Sequence, residues 1–71
     1  MTFNKAEMKT ILEALDGEAR RRHVQGRISI DDFHIIDRVV RIARTVDRAA
    51  AIGSAIIKTI DVLNAKQEVA R

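Results

Sequence analysis

The chain has 71 residues, a length that allows one domain and leaves little room for a large core. It contains no Cys, which excludes disulfides and thiolate metal sites, and its composition, 46% hydrophobic and 32% charged with no Pro, is typical of a folded helical protein. The net charge of +3 is too small to indicate a nucleic-acid partner by itself. The longest run without a charged residue, 49–57, is less than half of the roughly 20 residues that a membrane-spanning helix needs, so we expect a cytoplasmic protein with no membrane segment.

The first predicted helix covers residues 5–24. Asn4 is a favoured N-cap residue, and Glu7 stands three positions later, where its side chain can bond back to the Asn4 backbone. Apolar residues follow at the spacing of one helical face: Met8, Ile11, Leu12, Leu15 and Ala19. We expect Gly26 to end this helix, because glycine commonly follows a helix C-terminus.

The predicted turn, residues 25–29, contains the signals for the start of the next helix. Ser29 followed by Asp32 is the pattern of a capping box, in which the serine oxygen accepts a hydrogen bond from a backbone N–H of the first turn. Ile28 and Phe33 are spaced to form a hydrophobic staple across that start. The sequence therefore predicts that the second helix begins directly after Ser29.

The second predicted helix covers residues 30–66 without a break. One set of its apolar residues recurs in steps of four and three, the period of a coiled coil, and we call this set the heptad seam. The heptad seam consists of Ile35, Val39, Ile42, Val46, Ala49, Gly53, Ile56, Ile60 and Leu63. A second stripe lies beside it and consists of Ile36, Val40, Ala43, Ala50 and Ile57. A break at residues 45–47 or at Gly53–Ser54, giving three helices, is the alternative.

A second helix of this length predicts a dimer. It would be about 55 Å long at ~1.5 Å per residue, whereas a compact chain of this size is roughly 29 Å across. Because the first helix covers only half of it, we expect an all-α fold in which a helical hairpin completes an antiparallel four-helix bundle as a homodimer. The predicted dimer interface consists of Val46, Ala49, Ala50, Gly53, Ile56, Ile57, Ile60 and Leu63. A three-helix monomer that turns at Gly53–Ser54 is the alternative.

Two groups of arginines are the candidate partner-binding residues. They are Arg20, Arg21, Arg22 and Arg27 in and after the first helix, and Arg38, Arg41, Arg44 and Arg48 in the second. The spacing of Arg41, Arg44 and Arg48 places them on one helical face, opposite the heptad seam. Guanidinium groups bind phosphates and carboxylates through paired hydrogen bonds, so these groups suit nucleic acid or an acidic protein surface. An ordinary solvated face is the alternative.

The sequence offers no catalytic arrangement. His23 and His34 lack the spacing of metal ligands, and the three glycines are isolated, so they form no phosphate-binding loop. A chain this short also has no obvious pocket for a substrate. We therefore expect a protein that is not an enzyme and that uses no metal, cofactor or small-molecule substrate.

Residues 24–30 alternate apolar and polar side chains, as a short strand does. A strand followed by two helices resembles the ribbon-helix-helix DNA-binding family, and the resemblance covers residues 24–63. It implies that Gln25, Arg27 and Ser29 are base-reading positions on a strand that enters the major groove. That family usually has a glycine in the turn between its helices, and the corresponding segment here has none.

The function predicted first is that of a small, non-catalytic, homodimeric regulator or adaptor, which binds an acidic protein surface through its arginines. The alternative is a nucleic-acid-binding regulator of the helical-hairpin or ribbon-helix-helix type, such as a transcriptional repressor. The two functions differ in a measurable way, because binding through phosphates weakens steeply as the salt concentration rises.

Overall fold

The computed structural model describes the backbone of residues 3–69 and the side chains of residues 3–65. Within that part of the chain the fold is all-α, as predicted, with three helices: α1 (Lys5–Val24), α2 (Ile30–Val46) and α3 (Ala49–Val69). Residues 25–29 form a turn and no strand, so the strand on which the ribbon-helix-helix resemblance depends is wrong. None of these helices is long and apolar enough to cross a bilayer.

The ends of α1 follow from signals in its own sequence. At the N-terminus the Glu7 N–H donates to Asn4 Oδ1 (2.8 Å), and the Asn4 N–H donates to Glu7 Oε1 (2.9 Å). At the C-terminus Gly26 adopts a φ of 70°, and the Arg27 N–H donates to the Arg22 carbonyl oxygen (2.8 Å). These bonds satisfy backbone groups that a helix end otherwise leaves without partners, so both ends of α1 are fixed locally.

The start of α2 is determined by residues next to it in the sequence, whereas its end is also contacted by residues of α1. Ser29 Oγ accepts a hydrogen bond from the Asp32 N–H (3.1 Å), as the capping pattern predicts. The helix ends at Val46, so the unbroken second helix over residues 30–66 is wrong, and the alternative break at residues 45–47 is correct. Asp47 adopts the left-handed conformation (φ 56°, ψ 42°), and the chain enters α3 two residues further on.

Contacts with α1 hold this turn in place. The Asp47 carboxylate lies 2.8 Å from Lys9 Nζ and 3.3 Å from Lys5 Nζ. Hydrogen bonds from Lys9 and then Lys5 lower the pKa of Asp47 below its ordinary value. Asp tolerates the left-handed region better than most residues do, although glycine is the usual choice there. The residues that contact this turn therefore lie about forty positions earlier in the chain, and the sequence around residue 47 does not reveal them.

The three helices pack pairwise around one hydrophobic core. Its buried members are Leu12, Ala19, Ile28, Ile36, Val40, Ala43, Ile52, Ala55 and Leu63. On α2 the core uses the second stripe instead of the heptad seam, since Ile36 and Val40 are 0% and 1% exposed while Ile42 is 52% exposed. The period was therefore correct for this helix, and the structure shows which of the two stripes faces the core.

The return of α3 along α2 also removes the premise of the dimer prediction. The described part of the chain measures 35 × 24 × 15 Å, so no helix protrudes by half its length. Leu63, predicted to need a second copy for burial, is only 5% exposed within the single chain. The hairpin shape is thus corrected to three packed helices, and the four-helix dimer stays a prediction.

Candidate partner-binding surface

The arginines of α1 are engaged in ion pairs along their own helix. Arg21 Nη2 lies 2.6 Å from Glu18 Oε1, and Arg22 Nε donates to Glu18 Oε2 (2.9 Å). These bonds, from Arg21 first and then Arg22, lower the pKa of Glu18. Arg22 also donates to the Leu63 carbonyl oxygen of α3 (3.3 Å), and its side chain is only 12% exposed. Arg22 therefore fastens α1 to α3 and is poorly placed to meet a partner.

Arg44 joins α2 to α1. Its Nε and Nη2 donate to the two carboxylate oxygens of Glu13, at 2.9 and 2.6 Å. Its Nη2 also lies 3.5 Å from the buried carboxylate of Asp16. The hydrogen bond from Arg44 lowers the pKa of Glu13, and the same bond raises the pKa of Arg44. This two-pronged pair fixes the distance between the two helices.

The ion pairs continue from α1 onto the outer side of α2. Arg20 Nε donates to Asp16 (3.0 Å), and Arg20 Nη2 lies 3.7 Å from Asp37. Asp37 accepts a hydrogen bond from Arg41 Nε (3.0 Å), while the Arg41 side chain remains 75% exposed. Arg41 is therefore partly neutralised and still accessible.

Three of the eight predicted binding arginines form no ion pair with the described residues: Arg27, Arg38 and Arg48. Arg27 donates to Gln25 Oε1 (3.2 Å) in the turn before α2. Arg48 lies in the connection after α2, so it does not share a helical face with Arg41 and Arg44, and that part of the prediction is wrong. Arg38 is exposed on α2 itself.

An exposed apolar stripe lies beside Arg38 along α2. We call Ile35, Val39, Ile42 and Val46 the α2 stripe. Ile35, Ile42 and Val46 are 39%, 52% and 45% exposed, and Val39 is half-buried. These four residues are the part of the heptad seam that lies on α2, and the core leaves them facing outwards. The sequence predicts all four as members of the heptad seam, and it places only Val46 in the dimer interface.

The middle of the α2 stripe, Val39 and Ile42, forms one wall of a surface cavity of about 280 Å³ between α2 and α3. Two further cavities, of about 370 and 280 Å³, continue from it along the stripe in the two directions, and the residues that line them belong to α2 alone. The opposite wall consists of Ala51, Ser54, Ala55 and Lys58 of α3. We call this feature the α2–α3 groove.

The charged residues that line the groove are Arg38, Arg41, Lys58 and Asp31. Lys58 was missed from the sequence because only the fold brings it to the α2 stripe.

The predicted dimer-interface residues are not brought together as one buried surface. Leu63 is buried in the chain's own core, and Ile56 packs partly against that core. Ile57 and Ile60 on α3 are 64% and 39% exposed, and Ala49 and Ala50 at its start are exposed as well. Gly53 is half-buried, and Val46 belongs to the α2 stripe.

A separate cleft of about 500 Å³ opens between all three helices. The expectation that so short a chain has no pocket of ligand size is therefore wrong, since small-molecule sites begin at roughly 300 Å³. Leu12, Ala43 and Ile52 are its buried lining residues. The charged groups at its mouth already pair with one another, Arg44 with Glu13 and Lys9 with Asp47. The cleft thus offers no unpaired charge to orient a ligand.

The rings of the two histidines both lie close to Phe33. The His23 ring stacks on the Phe33 ring, with a distance of 4.3 Å between the centroids and an angle of 8° between the planes. The Arg20 guanidinium lies over the Phe33 ring, 6.0 Å from its centroid. The His34 ring is tilted by 46° relative to the Phe33 ring, and the two ring centroids lie 6.3 Å apart. Among the residues whose side chains are described, no three potential metal ligands lie close together.

Comparisons of this chain with protein-family models, with curated proteins and with solved structures gave no match.

Proposed function

We propose that this protein is a small, non-catalytic binding protein that recognises an acidic surface on a partner protein. The observation that supports this proposal most directly is the division of its arginines. Those of α1 and Arg44 are held by carboxylates of the same chain, whereas Arg38 is exposed beside the apolar α2 stripe and forms no ion pair with the described residues. Protein interfaces characteristically combine an apolar centre with arginines.

A protein partner suits this surface better than nucleic acid does. Nucleic-acid interfaces are more polar and more positively charged than protein interfaces, and their affinity comes largely from neutralised phosphates. Here five of the eight candidate arginines already neutralise carboxylates, namely Arg20, Arg21, Arg22, Arg41 and Arg44. An exposed apolar stripe also contributes nothing to phosphate contacts, whereas it gains free energy when another protein covers it.

We propose no catalytic role because the described residues with shifted pKa values take part in ion pairs between or within helices. The shifted pKa values belong to Glu13, Glu18, Arg44 and Asp47. Each shift arises from an ion pair that joins or stabilises helices, and structural ion pairs perturb pKa values without any catalytic role.

The test compares two variants that lose the same charge. We expect Arg38→Gln with Arg48→Gln to reduce capture of the partner from an extract of the source organism, because neither cation pairs with a carboxylate among the residues whose side chains are described. Arg20→Gln with Arg21→Gln, which removes two paired cations, is the control and should leave capture unchanged. Equal effects of both pairs would contradict the proposal, as would tight, salt-sensitive binding to duplex DNA or RNA.

The predicted homodimer is a separate question with its own measurement. Sedimentation at increasing protein concentration measures the mass in solution, and substitution of Ile57 or Ile60 by Asp should dissociate a dimer that uses the exposed face of α3. A monomer at all concentrations would remove this part of the prediction and leave the binding function intact.

A further inference from the structure

The α2–α3 groove has the length and spacing of a helix-binding site. Its α2 stripe presents side chains in steps of four, three and four residues, over about 16 Å at ~1.5 Å per residue. The opposite wall contains the small side chains of Ala51, Ser54 and Ala55, which allow another backbone to approach closely. Three turns of a helix from a partner would therefore match the length of the α2 stripe, with the middle of that helix seated between α2 and α3.

The backbone of the groove favours a helical occupant over an extended one. Both walls are α-helices, in which the backbone N–H and C=O groups bond along the same helix. A peptide that adds as a strand needs a sheet edge with unpaired backbone groups, and neither wall provides one. An amphipathic helix instead needs a hydrophobic groove with anchors at helical spacing, and the α2 stripe supplies them.

The charges around the groove indicate the chemistry of that helix. Arg38 and Arg41 lie along the α2 wall and Lys58 lies on the α3 wall, with Asp31 as the one acidic residue of the lining. Neither Arg38 nor Lys58 has an ion-pair partner among the described residues. Building on the proposed function, we infer that the partner contributes an acidic amphipathic helix, with its apolar residues on the α2 stripe and its carboxylates against Arg38 and Lys58.

The same charges argue against a second copy of this chain as the occupant. Two copies joined through the groove would bring Arg38 and Lys58 of each chain to one seam, four cations against two Asp31 carboxylates, since Arg41 is already paired with Asp37. Like charges at a contact disfavour association, whereas an acidic helix turns the same cations into attraction. The groove thus selects by charge as well as by shape.

The experiment uses a fluorescein-labelled synthetic helix of about 18 residues, roughly 27 Å long, so that it spans the whole stripe. Its four Leu residues repeat in steps of four, three and four, with Glu on both flanks. Fluorescence anisotropy with the full chain should show saturable binding. Two control peptides, one with the Leu residues scattered around the helix and one with Lys in place of Glu, should bind at least about tenfold more weakly.

Variants of the protein locate the contact. Ile42→Asp should weaken binding at least about tenfold, because it places a charge in the centre of the stripe. Arg38→Gln with Lys58→Gln should weaken it about fivefold, in line with exposed charge pairs. Val24→Asp, at a residue that is 85% exposed and does not line the groove, is the matched control and should bind normally. Circular dichroism verifies that each variant is folded.

Two results would overturn the inference: equal binding of all three peptides, or binding that Ile42→Asp does not weaken. A dimer that Ile42→Asp dissociates would assign the groove to a second copy and overturn it too. If the peptides fail while partner capture still depends on Arg38 and Arg48, only this inference falls. If capture is insensitive to those arginines as well, the proposed function falls with it.

Discussion

Arginines lie on both sides of α2, and the two sides differ in whether carboxylates of the same chain bind them. On the side facing α1, Arg44 and the nearby Arg20 are matched by Glu13, Asp16 and Asp37, and ion pairs close the contact between the helices. On the side facing the α2–α3 groove, isoleucines and valines remain partly uncovered, with Arg38 beside them. Arginine content alone therefore does not identify a binding surface, because the carboxylates within reach decide which arginines remain available.

The largest expected effect separates the core face of α2 from its exposed stripe. Ile36→Ala should lower the free energy of unfolding by about 2–5 kcal/mol, because Ile36 is fully buried and the change leaves a cavity. Ile42→Ala, at a residue that is 52% exposed, should cost less than about 1 kcal/mol. Urea denaturation followed by circular dichroism measures both values. Equal losses would mean that the heptad seam is buried after all.

The next effect tests the charged side of α2. Arg44→Met should lower the free energy of unfolding by about 1 kcal/mol, because Glu13 loses a two-pronged partner and the buried Asp16 loses a nearby cation. Arg38→Met, which breaks no ion pair with the described residues, should change stability by less than about 0.5 kcal/mol. If the two variants lose the same stability, the distinction between structural and available arginines is wrong.

A stabilising change of similar size is expected in the core of α3. Thr59 is 0% exposed, and its hydroxyl oxygen has no hydrogen-bond partner among the described atoms. Thr59→Val keeps the shape and removes the unsatisfied group, so it should raise the free energy of unfolding by about 1 kcal/mol. Thr45→Val, at an exposed position of α2, is the control and should have almost no effect. A destabilised Thr59→Val would show that the hydroxyl has a partner in solution.

The smallest expected effect is a dependence of stability on pH, which arises from the ion pairs that join α1 to α2 and to the turn after it. The pKa values of Glu13 and Asp47 lie below their ordinary values of 4.5 and 3.8, so the folded chain binds fewer protons than the unfolded chain does. The stability from these ion pairs is therefore present above those ordinary values and is lost as the pH falls through the lowered ones. Thermal melts between pH 7 and pH 3 should show this loss, and Glu13→Gln should make it smaller. A melting temperature that rises with acidification would contradict the assignment.

Where structure is determined by neighbours in the sequence, the sequence was sufficient. Asn4 with Glu7, Gly26 and Ser29 mark helix ends that the structure places at those residues, because each bond joins groups within a few positions of one another. Arg44 was identified as a binding candidate by spacing alone. Its partner Glu13 lies thirty-one positions away, and only the packing of α1 on α2 reveals it.

Where two patterns share a period, the sequence could not choose between them. The heptad seam and the second stripe are adjacent on α2 and equally apolar, so periodicity predicts a helix without identifying its inner face. The chain reversal at Asp47 determines which stripe of α2 is buried, because it brings Ile52 and Ala55 of α3 into one core with Val40 and Ala43. That turn contains neither Gly nor Pro to announce it.

The left-handed Asp47 makes the path of the polypeptide conditional on its first helix. A residue other than glycine in that conformation costs about 1 kcal/mol, and the ammonium groups that compensate belong to Lys5 and Lys9. The buried residues Ile52, Ala55 and Leu63 of α3 hold the chain reversal from inside the core, and the ion pairs of Lys5 and Lys9 add to it from outside. A substitution at either lysine would therefore act at a turn about forty positions away in the sequence.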